Sequence, residues 1–153
     1  MAISPAQRHN QRVAMEKQLL QRQAVEAADS LHMQILALND DVAMARSQPT
    51  NADREAFKRD VLIPRWMPTV ESYLASGNIY KNPVFAWCVI WHFDAGYLDK
   101  ALELADIAIA QQQPTPDNIR STFPAFVADT VMAWAEETAA AGESVEPYFS
   151  QTF

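Results

Sequence analysis

Arg8, Arg12 and Arg22 are the side chains with the clearest chemical use in this 153-residue chain. On a helix turning about 100° per residue they fall within a sector of roughly 80°, so one face presents three guanidinium groups suited to phosphate oxygens. His9 and Gln11 add polar groups that can reach phosphate or base edges, while Lys17 lies on another side of the same helix. A second basic cluster, Arg54, Lys58, Arg59 and Arg65, is partly neutralised by Asp53, Glu55 and Asp60. Contact with DNA is the chemistry these groups support, and Arg8, His9, Arg12, Lys17, Arg22, Arg54, Lys58 and Arg59 are the candidate DNA-contacting residues. The plainer alternative is a solvated helix face in which Arg22 pairs with Glu26 at i, i+4.

Catalytic chemistry has far less behind it. His9, His32 and His92 are far apart and form no paired metal spacing on one helix. Asp40-Asp41, Glu136-Glu137 and the trio Asp94, Asp99 and Glu103 offer carboxylates for a divalent ion, but adjacent carboxylates on a helix point in different directions, and a solvated face explains them better. Cys88 is the sole cysteine and sits in the apolar run from Val84 to Ile90, which suits a small core residue rather than a reactive thiol. There is no glycine-rich phosphate loop, nucleophilic-serine motif or cofactor motif, so the expectation is a protein that is not an enzyme and uses no metal or cofactor.

The elements that must position these side chains all read as helices. Ser4-Pro5-Ala6-Gln7 carries a cap, a proline at the first helical position and a residue placed to close a capping box. From there Leu20, Ala24, Ala27, Leu31, Ile35, Leu38, Val42 and Ala45 step by three or four, close to a heptad seam that can pair helices. Asp29-Ser30 is a second possible cap, so residues 5–46 form either one helix or two. Ser47 to Ala52 reads as a loop, and Asp53 to Leu62 as helix again. Pro64 or Pro68 then opens a helix that Gly77-Asn78 ends. Asn82-Pro83 starts the first arm of a helical hairpin that turns at Gly96, with Asp99 in the first turn of the second arm and Leu98, Ala101, Leu102, Ala105 and Ile109 on its buried face. Gln111 to Pro116 is a loop, and a last helix runs from about Pro124 to Gly142. The pattern gives five to six helices, no strand, and an all-α fold: a long N-terminal helix or helix pair followed by a compact bundle. Trp66, Trp87, Trp91 and Trp134, on helices with apolar neighbours, are expected to build its core.

Charge divides the chain unevenly. Residues 1–65 hold nine Lys/Arg and eight Asp/Glu, whereas residues 66–153 hold three and eleven. The basic character is confined to the front, which suggests a basic N-terminal helical arm over residues 1–48 for DNA contact and assembly, and a helical core over residues 49–153. The acidic half would repel phosphate and suits surface, subunit interface or a dock for a basic partner. No apolar run reaches the roughly 18–20 residues of a membrane span, and the N-terminus lacks the apolar centre of a signal peptide, so an intracellular protein with no membrane partner is expected.

Four short stretches in order, Ser4-Pro5-Ala6-Gln7-Arg8-His9 with Arg12-Val13, then Leu62-Ile63-Pro64-Arg65-Trp66-Met67-Pro68, then the hairpin, then Ala140-Ala141-Gly142-Glu143-Ser144-Val145, resemble the small terminase subunit of temperate tailed phages that package DNA from cohesive ends. The resemblance covers about residues 4–147. It implies a DNA-packaging protein of the bacterial host cytoplasm that recognises double-stranded phage DNA at the cohesive-end site, assembles into a ring-like homo-oligomer and presents DNA to a large ATPase and nuclease subunit. Members of that family look longer than this chain and continue past the Gly142 motif with a basic tail. Two other readings share much of the pattern: a helical adaptor that uses its acidic half to bind protein and no DNA, and a satellite-element protein that redirects a phage terminase.

Overall fold

Ser4 and Gln7 open the first helix by exchanging hydrogen bonds, in the computed structural model that describes residues 2–153, with the side chains of Ala24, Ala27 and Ala28 outside the described set. The Gln7 backbone N–H donates to Ser4 Oγ at 3.2 Å, and the Ser4 N–H donates to Gln7 Oε1 at 2.9 Å. This reciprocal pair satisfies two of the orphan donors at the helix start. Helix α1 then runs unbroken from Pro5 to Arg46. The open choice between one helix and two is thereby decided: no Gly or Pro occurs between Ala6 and Gln48, and the capping tendency of Asp29-Ser30 alone does not interrupt the backbone ladder. Along the expected seam, Leu38, Val42 and Ala45 are buried, Leu31 and Ile35 are half-buried, and Leu20 is exposed. The burial expected of Ala24 and Ala27 falls outside the described residues.

The chain divides into two units, Met1–Asp40 and Asp41–Phe153. In the second, α2 (Asn51–Phe57), a π turn (Lys58–Leu62) and α3 (Ile63–Ser76) follow one another without a break. This differs from the sequence expectation in two ways. Thr50 caps α2 by accepting the Asp53 N–H on its hydroxyl at 3.0 Å, so the helix begins at Asn51, within the stretch expected to be loop. Neither Pro64 nor Pro68 opens a new helix; Pro64 sits in the first turn of α3 and Pro68 inside it. The π turn explains how the chain tolerates them. The Ile63 N–H reaches back to the Lys58 carbonyl, and this wider turn loosens the ladder just where Pro64 supplies no donor.

Helix α4 (Pro83–Asp94) is the centre of the second unit, with nine of the ten residues from Val84 to Phe93 buried and Trp87 half-buried. Asn82 caps it by accepting the Phe85 N–H at 3.2 Å, and Pro83 stands at the first helical position. Helix α3 and the π turn pack on α4 from one side and α5 (Leu98–Ala110) packs as the other arm of the hairpin. Helix α6 (Phe123–Ala140) lies on α5, and α7 (Tyr148–Thr152) touches both. The hairpin turn is as expected: Gly96 is left-handed at φ +80°, the Tyr97 N–H bonds the His92 carbonyl at 2.9 Å, and Leu98, Ala101, Leu102 and Ala105 are buried. Ile109, expected on that face, is 36% exposed. Of the four tryptophans, Trp66 and Trp91 are buried, while Trp87 and Trp134 are half-buried. Helix α7 was not among the expected elements; at five residues it is too short to show a periodic pattern, and it is held by a T-shaped Trp134–Tyr148 contact at 5.4 Å.

Candidate nucleic-acid interface

Helix α1 places Arg8, Arg12 and Arg22 on one exposed face, interleaved with Met15 and Leu19 and flanked by Gln11, Glu16 and Gln18. Among the described residues no ion pair engages Arg8, Arg12, Lys17 or Arg22, so the Arg22–Glu26 pair of the plainer alternative does not form. His9 is exposed on the same helix, and Lys17 points to a different side. A continuous helix with three unpaired guanidinium groups along one face can follow a phosphate backbone.

The second cluster is divided by its partners. Lys58 donates to Asp94 Oδ2 at 2.7 Å in a part-buried contact that ties the π turn to the end of α4. Arg59 is exposed and meets Asp60 at 3.3 Å. Arg65 Nη1 donates to both oxygens of Asp41, at 2.7 and 2.8 Å, and the Trp66 indole N–H donates to the same carboxylate at 2.8 Å. Arg54 is half-buried; its Nε donates to the Gln48 carbonyl and its Nη1 to Asn51 Oδ1, both at 3.2 Å, which braces the turn between α1 and α2 and leaves no carboxylate on it. Arg54 and Lys58 therefore face inward, into a cleft of about 480 Å³ that Arg46, Trp87, Asp94 and Asn118 also line. Sequence reasoning passed over Arg46 and Asn118. The signal available for Arg46 was its place in the last turn of α1, with no acidic residue within four positions on either side.

The other candidate groups have structural employment. His92 is 3% exposed, and its Nδ1 stands 2.6 Å from the Cys88 carbonyl one turn back, so the ring donates there. Burial holds its pKa below the ordinary 6.5, offset by that backbone hydrogen bond and reinforced by Lys100. Cys88 is fully buried, and burial pushes its thiol pKa far up, which suits an inert core residue. Asp41 and Asp94 are each held by a cation, Glu103 meets Lys100 at 3.3 Å, and no group of three or more His, Cys, Asp or Glu among the described residues is arranged to hold a metal ion.

The model of the phage small terminase subunit family matches residues 35–153. The chain belongs to that family. Among its relatives, the probable terminase, endonuclease subunit of Haemophilus phage HP1 (strain HP1c1) is 46% identical over 118 residues, covering 77% of this chain and 42% of that protein. The terminase, endonuclease subunit of Escherichia phage P2 is 30% identical over 148 residues, covering 94% of this chain and 58% of that protein. The chain thus spans about half the length of these curated relatives. No solved structure matches it. The family match begins at Ile35, so the small-terminase core takes in the cleft and the bundle, while the basic face of α1 lies ahead of it; the phage P2 relative extends the similarity across that face from Arg12 to Arg22.

Proposed function

We propose that this chain is the DNA-recognition and assembly module of a phage packaging machine, with residues 1–48 as the DNA-contacting and assembly arm and residues 49–153 as the helical core. It recognises the cohesive-end site of double-stranded phage DNA in the cytoplasm of the bacterial host, associates with copies of itself into a ring, and delivers the DNA to the large ATPase and nuclease subunit. The observation that carries this reading is α1 itself: a single 42-residue helix that bears an unpaired basic face and, apart from it, exposed apolar side chains such as Val13, Leu20 and Val25. Apolar positions left in water on so long a helix favour association with another helix, and the guanidinium face favours phosphate. Family membership supports the same role.

The relatives carry the words endonuclease subunit in their names, whereas we place cleavage in the large subunit, because Asp41 and Asp94, two of the carboxylates that could serve a divalent ion, are engaged by Arg65 and Lys58. Nuclease assays with magnesium or manganese test this: robust cutting that carboxylate substitutions abolish would overturn it. For DNA recognition, Arg8→Ala combined with Arg12→Ala is expected to weaken binding of cohesive-end DNA about tenfold or more while leaving the oligomeric mass unchanged. A gel-shift titration showing wild-type affinity would remove the arm from the interface.

A further inference from the structure

The second unit carries eight basic and fifteen acidic residues between Asp41 and Phe153, yet three of those bases, Arg46, Arg54 and Lys58, line a single cleft in which Asp94 is the sole carboxylate. Lys58 and Asp94 neutralise each other at 2.7 Å. Arg46 and Arg54 have no acidic partner among the described residues, so the cleft keeps two guanidinium charges unneutralised within a unit of net charge −7, although Arg54 already donates N–H groups to Gln48 and Asn51. Cations grouped against the prevailing sign of their surroundings call for an anion.

The rest of the wall is aromatic and aliphatic, with Asn118 as its one side-chain amide among the described residues. Trp87 is half-buried at the cleft and lies stacked on the buried Trp91, with ring centroids 5.9 Å apart and planes 26° from parallel. This backing fixes the Trp87 ring. Asn118, exposed on the loop between α5 and α6, brings both a donor and an acceptor to the rim. The volume of about 480 Å³ falls in the usual range of small-molecule sites, about 300–1,000 Å³. A fixed indole face, a pair of guanidinium groups without carboxylate partners and a side-chain amide are the complement of a base, a phosphate and a base edge. A simple carboxylate or inorganic phosphate would leave the indole wall unused.

We propose that this cleft binds a nucleoside phosphate, with the base against Trp87, the phosphate between Arg46 and Arg54, and Asn118 reading the base edge. Two sources share this chemistry: a free nucleotide, or an unpaired nucleotide of a DNA strand. The site is separate from the basic face of α1 and does not depend on that face touching DNA.

Titration calorimetry on the intact chain tests the proposal with dAMP, ATP, inorganic phosphate, deoxyadenosine, and two duplexes of equal length, one blunt and one with a single-stranded overhang. Saturable binding of dAMP or ATP, at least tenfold tighter than phosphate or deoxyadenosine alone, is expected. Arg46→Glu is the informative variant, because Arg46 is exposed and makes no side-chain hydrogen bond or ion pair among the described residues; it should weaken binding at least tenfold with helicity by circular dichroism unchanged and, since it reverses a charge in the last turn of α1, only a small drop in melting temperature. Trp87→Leu, checked for retained helicity by circular dichroism, should do the same, and Trp87→Phe should restore much of the loss. Mononucleotide binding equal to that of the overhang would identify the free pool as the source, and a preference for overhang over blunt duplex that Arg46→Glu removes would identify the strand. Absence of saturable binding to every nucleotide ligand at millimolar concentration, or wild-type affinity in Arg46→Glu, would overturn the proposal, as would capture of an acidic peptide in place of nucleotides.

Discussion

Gln113 joins three segments of the bundle through one side-chain amide. It is 7% exposed; its Nε2 stands 2.9 Å from the Tyr73 hydroxyl and 2.7 Å from the Tyr80 carbonyl, and its Oε1 accepts the Asn82 N–H at 3.0 Å. One amide thus links the end of α3, the segment that leads into α4, and the loop after α5. Truncation would leave the buried Asn82 N–H unpaired, while the Tyr80 carbonyl still accepts the Tyr73 hydroxyl at 3.1 Å, so Gln113→Ala is expected to lower stability by about 1–3 kcal/mol in urea denaturation. His92 makes the stability of the folded chain sensitive to pH. The unfolded chain takes up a proton near pH 6.5 and the folded chain only at lower pH, so the contribution of neutral His92 is complete above about 6.5 and declines as pH falls below it. A urea midpoint that drops between pH 7 and pH 5.5 in the wild type, and stays flatter in His92→Gln, is the expected result. The importance of Gln113 was not legible in the sequence, where it reads as one of three glutamines in a loop; the packed role of His92 was, because its neighbours in the helix are apolar.

At the scale of elements, the ends of the helices follow local chemistry closely. The capping box at Ser4, the left-handed glycines at 77, 96 and 142, and the Asn82-Pro83 start were all legible, because each depends on residues within a few positions of one another. Gln112 is the exception. It closes α5 in the left-handed conformation at φ +55°, with the Gln113 N–H on the Ala108 carbonyl at 2.9 Å, the same arrangement that glycine provides at the other helix ends. A side chain in that conformation costs about 1–2 kcal/mol, part of which the greater freedom of glycine in the unfolded chain offsets. Gln112→Gly is therefore expected to raise stability by about 0.5–1 kcal/mol, read as a higher melting temperature. The fusion of α2, the π turn and α3 was not legible, since prolines at 64 and 68 normally mark boundaries; only the packing of Leu62, Ile63 and Trp66 into the bundle keeps the chain helical through them.

At the scale of the whole molecule, the long α1 sets the expectation for assembly. Leu20 is 66% exposed in the single chain although it lies on the heptad stripe, which association would bury. Leu20→Glu with Leu31→Glu is expected to reduce the mass measured by light scattering while leaving the melting of the bundle within about 1 kcal/mol of wild type, since neither side chain is fully buried. An unchanged mass would place the subunit contacts elsewhere. The basic face is expected to survive this change, so DNA affinity lost with the oligomer and regained at high protein concentration would show that assembly and recognition act together.

The sequence by itself determined the helical class, the hairpin, most helix ends and the family, because these follow from periodicity, capping and short ordered motifs, all of which act between near neighbours. It also marked the basic residues. What it did not settle was which of those bases stay free. Lys58, Arg59 and Arg65 each meet a carboxylate, two of them 24 and 36 positions away, whereas Arg46 and Arg54 reach the cleft beside Trp87 with no carboxylate partner among the described residues. Only the tertiary structure decided this, because charge pairing depends on distance in space, and the folding of α4 between its neighbours sets those distances.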